Sequence, residues 1–528
     1  MKKSHRRYLY FAVFMSGMST LALELSASRL LGPAFGVSNL VWASIIGLIL
    51  IYLTLGYFIG GAWADRSPYP KTMYIALAWG SLTAGLVPLI SRPVLRQAAE
   101  AFDSFQVGVL FGSFTAVLIL FCVPVTLLGV VSPFAIRLAI TDPRESGTVS
   151  GRIYATSTLG SFLGTFLPVL VLIPTIGTVF TFLFFSMILN LVALVGLWTA
   201  SGWKGVLPWL WMPITILMVA LLWGKGHIKA TAGQIYESES AYNYIQVLER
   251  DGYRYLRLNE GQGIHSVWHP TELEYAGPWE QFLVAPFFNS TQGEVAYRPT
   301  EVKSMAIIGL AAGTLARQAS GVFGPIPIDG FEIDPQIIEV GQKYFDMNEP
   351  NLTPIPQDGR WGLEQSQRLY SIIAVDAYRP PYIPWHLTTQ EFFQITHDRL
   401  TEDGVLVINV GRSPESRQLI DDLVETIQTV FPSVYVMDVP GSFNSMIYAT
   451  VQKTDFINLF LNFEGLKNDP DTHPLLLTAM QKTIVNLRPL ANDDGRPTVF
   501  TDDWAPIELI TNNMVLDFVF SGGLELLK

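Results

Sequence analysis

The sequence predicts a multi-span α-helical membrane domain, then a small β domain, then a doubly wound α/β domain with a helical C-terminal tail. Long apolar runs fill the first two-fifths of the 528 residues. Short alternating runs follow them, and strand and helix patterns then alternate, which is typical of a parallel sheet covered by helices on both faces. The predicted domains are residues 1–230, 231–295 and 296–528.

The composition limits the class of protein. Half of the residues are hydrophobic and 15% are charged, which is too apolar for an ordinary soluble enzyme. The net charge of -11 gives no support for binding to nucleic acid, which requires a basic surface. Cys122 is the one cysteine, so an intramolecular disulfide and a cysteine-based metal cluster are both excluded.

The apolar runs predict about seven membrane spans, because each is near the roughly 20 residues that cross a hydrocarbon core. Their bounds are Tyr8–Leu31, Leu40–Ala64, Met73–Ile90, Val107–Val131, Ile153–Ile173, Val179–Trp198 and Val206–Trp223. The basic residues from Lys2 to Arg7 place the N-terminus in the cytoplasm by the positive-inside rule. An odd number of crossings then puts the C-terminal domains on the extracytoplasmic face, unless one span does not cross.

Glu24 and Arg29 lie inside the first predicted span. Charged residues within a membrane are costly and are therefore candidates for a functional site. Two interpretations stay open at this point. The pair serves helix packing or the membrane interface, or it lines a transport path.

The runs Tyr242–Leu248 and Tyr253–Leu258 alternate around an Asp-Gly pair, which is a hairpin signal. Gly263–Trp268 predicts a third strand. His265 lies in this run and His269 directly follows it, but no cysteine or carboxylate cluster near them completes a metal site. The sequence therefore predicts a small β domain without a metal.

The stretch Lys303–Val410 predicts the nucleotide-binding half of the α/β domain. An apolar run stops at Gly309, small residues follow as far as Gly313, and a helical pattern then begins. This is the order of a strand, a tight turn and a helix N-terminus.

Acidic residues follow the next strands. Glu332 follows the run around Ile328, Asp376 follows Tyr370–Val375, and Asp358 lies between them. Ligands of such sheets bind outside the carboxyl ends of the strands. Glu332 is suited to accept hydrogen bonds from the ribose hydroxyls of an adenine nucleoside, and Asp358 is suited to accept one from the adenine amino group. Asp376 is suited to stabilise a sulfonium or an amine at the reacting end of the ligand. The alternative for Glu332 and Asp358 is that they cap the following helices.

These motifs together resemble spermidine synthase, a polyamine aminopropyltransferase with a small N-terminal β domain and a class I methyltransferase-like Rossmann domain. The resemblance rests on Gly309–Thr314, Phe331–Asp334, Gln357–Gly359, Val375–Tyr378 and Leu387–Thr389. With the apolar part included, the whole chain is similar to bacterial multi-pass membrane proteins that carry a spermidine synthase-like domain.

The resemblance implies a cosubstrate, partners and a location. Decarboxylated S-adenosylmethionine or S-adenosylmethionine would be held by Gly309, Gly313, Glu332 and Asp358. Asp376 would assist attack by the acceptor amine, and no metal is implied. The partners would be the lipid bilayer, a polyamine or another small acceptor, and a partner in a membrane complex, with no nucleic acid. The location would be the cytoplasmic membrane of a bacterium.

Two positions depart from the family pattern. Ala312 stands where the family usually has an aspartate, and Arg379 stands where it has a second acid, three residues after Asp376. A polyamine is at least a dication, so this reversal of charge costs several kcal/mol at about 4 Å and an effective dielectric near 20. An anionic or neutral acceptor, or no catalysis, therefore becomes an alternative.

Three functions fit these observations. The first is a membrane-anchored group transferase that uses an S-adenosyl-type nucleoside, with aminopropyl transfer as the parent chemistry. The second is a catalytically inactive Rossmann domain that serves as a binding or scaffold subunit. The third is a transporter with a nucleoside- or polyamine-sensing domain.

The segment Thr501-Asp502-Asp503 near the C-terminus is similar to one that closes the related fusion proteins, and we expect it to fold back near the site. Two adjacent acids cannot both point the same way on a strand. We therefore expect one of them to face inward.

Overall fold

The structure of the chain is a computed structural model that describes residues 3–35, 39–103, 108–223, 231–259, 263–291, 296–378, 383–412, 416–490 and 498–520. The chain forms two compact units. The first comprises Met1–Ala232, Glu237–Ile245 and Asn259–Gly261, and the second comprises Gly233–Tyr236, Gln246–Leu258 and Gln262–Lys528. The predicted domain boundaries after residues 230 and 295 stay predictions.

The first unit is built from long apolar helices. They are α1 (Lys3–Phe35), α2 (Asn39–Arg66), α3 (Pro70–Asp103), α4 (Gly108–Gly129), α5 (Val131–Ala139), α6 (Ser146–Leu167), α7 (Ile173–Val206) and α8 (Trp211–Trp223). Each predicted span overlaps one of these helices. Within the described residues, five stretches are long and apolar enough to cross a membrane, judged by length and composition. The crossing itself, and the count of seven, stay predictions.

The last of these five stretches, Pro143–Trp209, has 67 residues and contains two of the predicted spans. A continuous helix of that length would measure about 100 Å, roughly three times the hydrocarbon core of a bilayer. A π-helical turn at Pro168–Leu172 and the non-helical φ of 80° at Gly177 interrupt it. The π-helical turn therefore separates α6 from α7, and Gly177 interrupts α7 near its N-terminus.

Glycines allow α1 and α6 to approach each other closely. A Cβ added at Gly160 would lie 2.1 Å from the carbonyl oxygen of Phe14, and one added at Gly164 would lie 2.0 Å from that of Met18. Small residues at such crossings are typical of helices that pack in lipid. A larger residue at either glycine would separate the two helices.

Arg29, predicted inside the first span, makes a contact that accounts for its position. Its Nη2 donates a hydrogen bond to the backbone oxygen of Ala241. The nearby carboxylate of Glu239 accepts from the backbone N and the hydroxyl of Thr178, at 2.6 and 2.5 Å. Burial raises the pKa of Glu239, while the hydrogen bonds from Thr178 and the charge of Arg29 oppose that rise. These contacts favour a packing role for Arg29 over a transport path.

A four-stranded sheet has the order β1-β2-β3-β4. Its strands are β1 (Gln234–Glu239), β2 (Tyr244–Arg250), β3 (Tyr253–Leu258) and β4 (Ser266–Trp268). The predicted hairpin is confirmed, because Asp251 and Gly252 join β2 to β3 with φ values of 52° and 84°. Positive φ at both central residues is the geometry of a type I′ turn. The predicted third strand is confirmed as β4.

The second unit contains an eight-stranded sheet. Its strands are β5 (Met305–Ile308), β6 (Ile328–Phe331), β7 (Leu352–Ile355), β8 (Tyr370–Val375), β9 (Leu400–Gly411), β10 (Ser433–Asp438), β11 (Asn444–Thr450) and β12 (Leu487–Arg488). The order is β12-β10-β11-β9-β8-β5-β6-β7. β5 to β9 pair in parallel, whereas β11 is antiparallel to both β9 and β10. Counted from β5, the first seven strands follow the order 3-2-1-4-5-7-6 of methyltransferase-like Rossmann domains, as predicted.

Helices cover both faces of this sheet. They are α9 (Trp279–Phe282), α10 (Thr314–Phe323), α11 (Pro335–Tyr344), α12 (Gly359–Gln365), α13 (Gln390–Asp398), α14 (Gln418–Gln428), α15 (Ile457–Leu466), α16 (Pro474–Asn486) and α17 (Ile507–Phe520). Side chains alternate across a strand, so Met305 and Ile307 of β5 enter one core while Ala306 and Ile308 enter the other. Burial on both faces explains why these strands appear in the sequence as continuous apolar runs.

Candidate functional site

The glycine-rich turn after β5 requires unusual backbone angles. Gly309, Ala311 and Gly313 have φ values of 88°, 48° and 85°. A Cβ added at Gly309 would lie 2.6 Å from the backbone oxygen of Asp376, so only glycine allows this turn to approach the end of β8. Ala311 takes a left-handed angle that favours glycine, and such local strain is often found at binding sites.

The same turn is held by β4. The backbone N of Ala312 donates to the Ser266 hydroxyl at 2.9 Å, and the Thr314 hydroxyl donates to the oxygen of Val267 at 2.8 Å. His265 precedes this contact, and burial lowers its pKa to about 4, so its imidazole is neutral near pH 7. Ala312 therefore takes part in fixing the turn, and its methyl group supplies no charge there.

Glu332 lies immediately after β6 and is buried. Its Oε2 accepts from the backbone N of Ala311 at 3.0 Å and its Oε1 accepts from that of Asp334 at 3.1 Å. Burial raises the pKa of Glu332 to about 7, although these two hydrogen bonds oppose the rise. Because a carboxylate oxygen can accept more than one hydrogen bond, each oxygen keeps capacity for a hydroxyl donor.

Asp358 takes the capping role that the sequence left open. Its Oδ1 accepts from the backbone N of Arg360 and of Trp361, both at 3.1 Å, at the N-terminus of α12. Its Oδ2 lies 2.9 Å from Nε2 of His386. The hydrogen bond from His386 is the largest of the effects that lower the pKa of Asp358. Both oxygens are therefore already engaged, while the adenine contact stays a prediction.

Asp376 follows β8 and is held by two neutral donors. The Asn409 Nδ2 donates to its Oδ1 at 2.9 Å, and the Trp279 side chain also donates to the carboxylate. Burial raises the pKa of Asp376 to about 7, and the two hydrogen bonds oppose that rise. A carboxyl group in this range is able to gain and lose a proton near neutral pH.

The fold brings all the predicted site residues to one edge of the sheet. Gly309 contacts the backbone of Asp376, and Glu332 binds the same turn through Ala311. A Cβ added at Gly359, next to Asp358, would lie 2.3 Å from the Ile308 side chain. The N-terminus of α12 therefore also adjoins the end of β5. Arg379, predicted to disturb the acceptor side, lies outside the described residues.

The C-terminal segment folds back onto this edge, as expected. The guanidinium of Arg360 binds Asp502 through two hydrogen bonds of 2.7 and 2.6 Å, and the Thr389 hydroxyl donates to the same carboxylate at 2.7 Å. Asp503 is exposed and makes no hydrogen bond or ion pair within the described part of the chain. Of the two adjacent acids, only Asp502 contacts this edge in the described part of the chain, although its side chain is itself partly exposed.

Sequence reasoning missed Trp279 and Asn409. Asn409 did leave a signal, because it is a polar residue inside the apolar run Val405–Val410. Trp279 gave none, since an aromatic residue near a turn is ordinary. Among the described residues, no group of three or more His, Cys, Asp or Glu side chains is arranged to hold a metal ion.

The strand order and the acids at the strand ends define a methyltransferase-like Rossmann domain with a polar site at its carboxyl edge. Residues 296–462 match the family model of the spermine/spermidine synthase domain. The C-terminal half of the chain therefore contains a spermidine synthase domain with polyamine aminopropyltransferase homologues. That part of the predicted resemblance is confirmed.

Curated relatives support the same domain. A probable polyamine aminopropyl transferase of Bifidobacterium longum is 29% identical over 286 residues, which is 52% of this chain and 61% of that protein. The chain thus spans about six tenths of the length of this relative. A polyamine aminopropyltransferase of Vibrio vulnificus is 24% identical over 284 residues, which is 52% of this chain and 91% of that protein.

Solved structures with likeness to the chain include a probable spermidine synthase from Corynebacterium glutamicum. It has a TM-score of 0.38 and 16% identity, over 51% of this chain and 99% of that one. A spermidine synthase in complex with the transition state analogue AdoDATO has a TM-score of 0.34 and 19% identity, over 53% of this chain and 83% of that one.

Proposed function

We propose that the chain is a membrane-anchored group transferase that uses an S-adenosyl-type nucleoside, with aminopropyl transfer as its parent chemistry. The observation that carries this proposal is the buried carboxylate of Glu332. Its oxygens are fixed by the backbone N–H groups of Ala311 and Asp334, with a further backbone hydrogen bond from Ile333, and two carboxylate oxygens are suited to the two hydroxyls of a ribose.

The transfer would take place beside Asp376. An acceptor amine attacks the carbon next to the sulfonium of decarboxylated S-adenosylmethionine. The N–C bond forms, the C–S bond breaks, and methylthioadenosine leaves with the electron pair on sulfur. The nitrogen loses its proton to Asp376, whose pKa of about 7 suits a general base near neutral pH. Asn409 and Trp279 orient this carboxylate.

The first unit would anchor this activity in the cytoplasmic membrane of a bacterium, with the N-terminus in the cytoplasm. The five long apolar stretches support the anchor, and the basic N-terminal residues support the orientation. Within the described residues, these five stretches correspond to six of the predicted spans, because Pro143–Trp209 contains two of them. Six crossings would return the transferase domain to the cytoplasm.

A reporter fused after Lys528 tests the orientation. We expect a reporter that is active in the cytoplasm to work and one that is active outside to fail. The reverse result would restore the odd number of crossings that the sequence predicts.

Binding of the nucleoside tests the proposed chemistry. The full chain in detergent is titrated calorimetrically with decarboxylated S-adenosylmethionine, S-adenosylmethionine and methylthioadenosine. We expect binding of at least one of them, and slow release of methylthioadenosine when an amine is added. Absence of heat with all three ligands would contradict the proposal.

A binding or scaffold subunit is the second candidate function. It is favoured by the engagement of Asp358, whose two oxygens are held by the helix N-terminus and by His386. Binding of methylthioadenosine without any turnover, over a range of amine acceptors, would support this second function and contradict the first.

A further inference from the structure

A cluster of arginines lies at the end of the sheet beyond Asp376. At its centre is Asp438, the last residue of β10. Arg417 Nη1 lies 2.9 Å from both of its oxygens, Arg488 Nε lies 3.0 Å from Oδ2, and Arg412 Nε lies 3.5 Å from Oδ1. The Ser445 hydroxyl also donates to Oδ1, at 2.7 Å.

The charges of this cluster do not balance. Burial alone would raise the pKa of Asp438, but the hydrogen bonds from Ser445 and Arg417 lower it below its ordinary value, so the carboxylate is ionised. Three guanidinium groups therefore share one carboxylate, and their ion pairs within the described residues are all with Asp438. Within the described residues, two of the three guanidinium charges therefore have no carboxylate of their own.

Within the described residues, Arg412 is only loosely paired, because its Nε lies 3.5 Å from Asp438 Oδ1 and makes no hydrogen bond there. Its side chain is 18% exposed, and its Nε is buried without a hydrogen-bond acceptor among the described residues. A buried charged donor without a hydrogen-bond acceptor costs more free energy of folding than a buried neutral donor does. Arg417 and Arg488 are 34% and 53% exposed, so a ligand is able to reach the cluster from solvent.

A chain of hydrogen bonds joins the cluster to Asp376. Asn409, which binds Asp376, accepts at its Oδ1 from Asn444 Nδ2 at 2.8 Å. The backbone N of Asn444 donates to the Ser442 hydroxyl at 3.0 Å, and Arg412 Nη2 donates to the backbone oxygen of Ser442, also at 3.0 Å. Arg412 also directly follows β9, the strand that carries Asn409.

We propose that Arg412, Arg417 and Arg488 bind an anionic group, a carboxylate or a phosphate, on the acceptor whose amine reacts at Asp376. Arginine is suited to this role because its planar fork binds carboxylate and phosphate oxygens in pairs. The acceptor class is then an amine with an anionic end. This inference rests on the proposed transferase function and names its second substrate.

The alternative is that the cluster only ties β9, β10, β12 and α14 together. The two roles predict opposite effects for Asp438→Asn. If the cluster is a binding site, removal of the carboxylate strengthens anion binding, because more positive charge is free. If the cluster is only structural, the substitution destabilises the fold and the protein gains no response to anions.

Anion binding is measured by thermal unfolding of the full chain in detergent. Inorganic phosphate and acetate are titrated against chloride at constant ionic strength, first without nucleoside. We expect a saturable rise of the midpoint with phosphate or acetate. The apparent affinity should fall roughly tenfold in Arg488→Gln and rise roughly tenfold in Asp438→Asn. Arg488 is chosen because it is the most exposed of the three, so its replacement perturbs folding least.

Arg368→Gln is the matched control. Arg368 also pairs with an acid, Asp329, at 3.1 Å, but it lies before β8, at the amino edge of the sheet. We expect its replacement to leave the response to anions unchanged. An equal response to chloride, or a response that is the same in Asp438→Asn and wild type, would overturn the proposed site.

Turnover with paired acceptors tests the substrate class. 4-Aminobutyrate and putrescine have the same carbon chain and one amine in common, and they differ in whether the other end is a carboxylate or an ammonium group. With decarboxylated S-adenosylmethionine present, we expect methylthioadenosine to be released at least tenfold faster with 4-aminobutyrate. In Arg488→Gln, the ratio of the release rate with 4-aminobutyrate to that with putrescine should be smaller. Phosphoethanolamine carries a phosphate in place of the carboxylate, so the rate of methylthioadenosine release with it shows which of the two anions the site prefers.

The two measurements separate failure of this inference from failure of the proposed function. Faster release with putrescine, unchanged in Arg488→Gln, would overturn the anionic acceptor while the transferase stands. If none of the three acceptors gives release although phosphate stabilises the wild type, the arginine site stands and the transferase is contradicted.

Discussion

The two halves of the sheet's carboxyl edge carry opposite charge. The half formed by β5, β6 and β7 presents the carboxylates of Glu332 and Asp358, which neutral backbone donors and His386 hold. The half formed by β9 and β10 presents Arg412 and Arg417 around a single carboxylate. Asp376 lies between them at the end of β8. The difference fits the two proposals above, in which a nucleoside binds at the first half and an anion at the second.

The largest effect is expected for Gly309→Ala, because Gly309 lies against the backbone of Asp376 at the border between the two halves. The new Cβ would lie 2.6 Å from the backbone oxygen of Asp376, at a φ of 88°. Strain and overpacking together should cost at least about 2 kcal/mol of stability, and nucleoside binding should be lost. Calorimetry and thermal unfolding measure the two effects.

Gly324→Ala is the control for backbone strain alone. Gly324 has a φ of 79°, but nothing lies within 4 Å of a Cβ added there. We expect this variant to lose stability and keep its affinity for the nucleoside. Equal loss of binding in both variants would mean that the contact with Asp376 is unimportant.

The next effect, Glu332→Gln, tests the nucleoside half by itself. The amide keeps one oxygen acceptor and loses the charge, so the affinity for the nucleoside should fall roughly 10- to 100-fold. Phosphate binding at the arginines should not change. Glu339→Gln, an exposed acid on α11, should behave as the wild type, and a similar loss there would remove the ribose assignment.

The pH dependence of turnover locates the base between the two halves. In the proposed reaction the deprotonated form of Asp376 is the active one, and burial raises its pKa to about 7, as it does for Glu332. The rate should therefore fall about tenfold per unit below pH 7 and level off above it. Asp376→Asn should abolish the pH-dependent rate. A profile that breaks near pH 4 would instead indicate an unburied carboxyl or His265, whose pKa is lowered to about 4.

The smallest effect is expected for Asp502→Asn, at the outer border of the nucleoside half. It removes the charge from a paired contact with Arg360, which should cost about 1 kcal/mol because the pair is partly exposed. Asp503→Asn is matched in type and position, and we expect no measurable change in its midpoint of unfolding. Equal effects of the two substitutions would show that the contact with Arg360 does not stabilise the segment.

Much of the fold was predictable because it depends on local patterns. The hairpin at Asp251-Gly252 follows from its turn residues and from the alternation of the flanking runs. The strand–turn–helix at Gly309 follows from small residues after an apolar run. The division of Pro143–Trp209 into separate helices depends on its kinks, because the stretch is apolar along most of its length.

The candidate site divides in the same way. Glu332, Asp358 and Asp376 were predictable because acids at the ends of parallel strands meet at one edge. The engagement of Asp358 by His386 was not, since it depends on how a loop folds 28 residues further along the chain. The arginine cluster also escaped prediction, because Arg412, Arg417 and Arg488 come from separate segments that only the strand order brings together.

The sequence by itself determined the apolar character of the first part, the order of the strands and helices, and the residue types at the strand ends, because these depend on local periodicity and composition. The tertiary structure alone decided which side chains meet. Glu332 holds the glycine-rich turn through Ala311, Asn409 and Trp279 hold Asp376, and three arginines converge on Asp438. Such contacts join residues that are distant in the chain, and the pKa values near 7 arise from the burial that those contacts create.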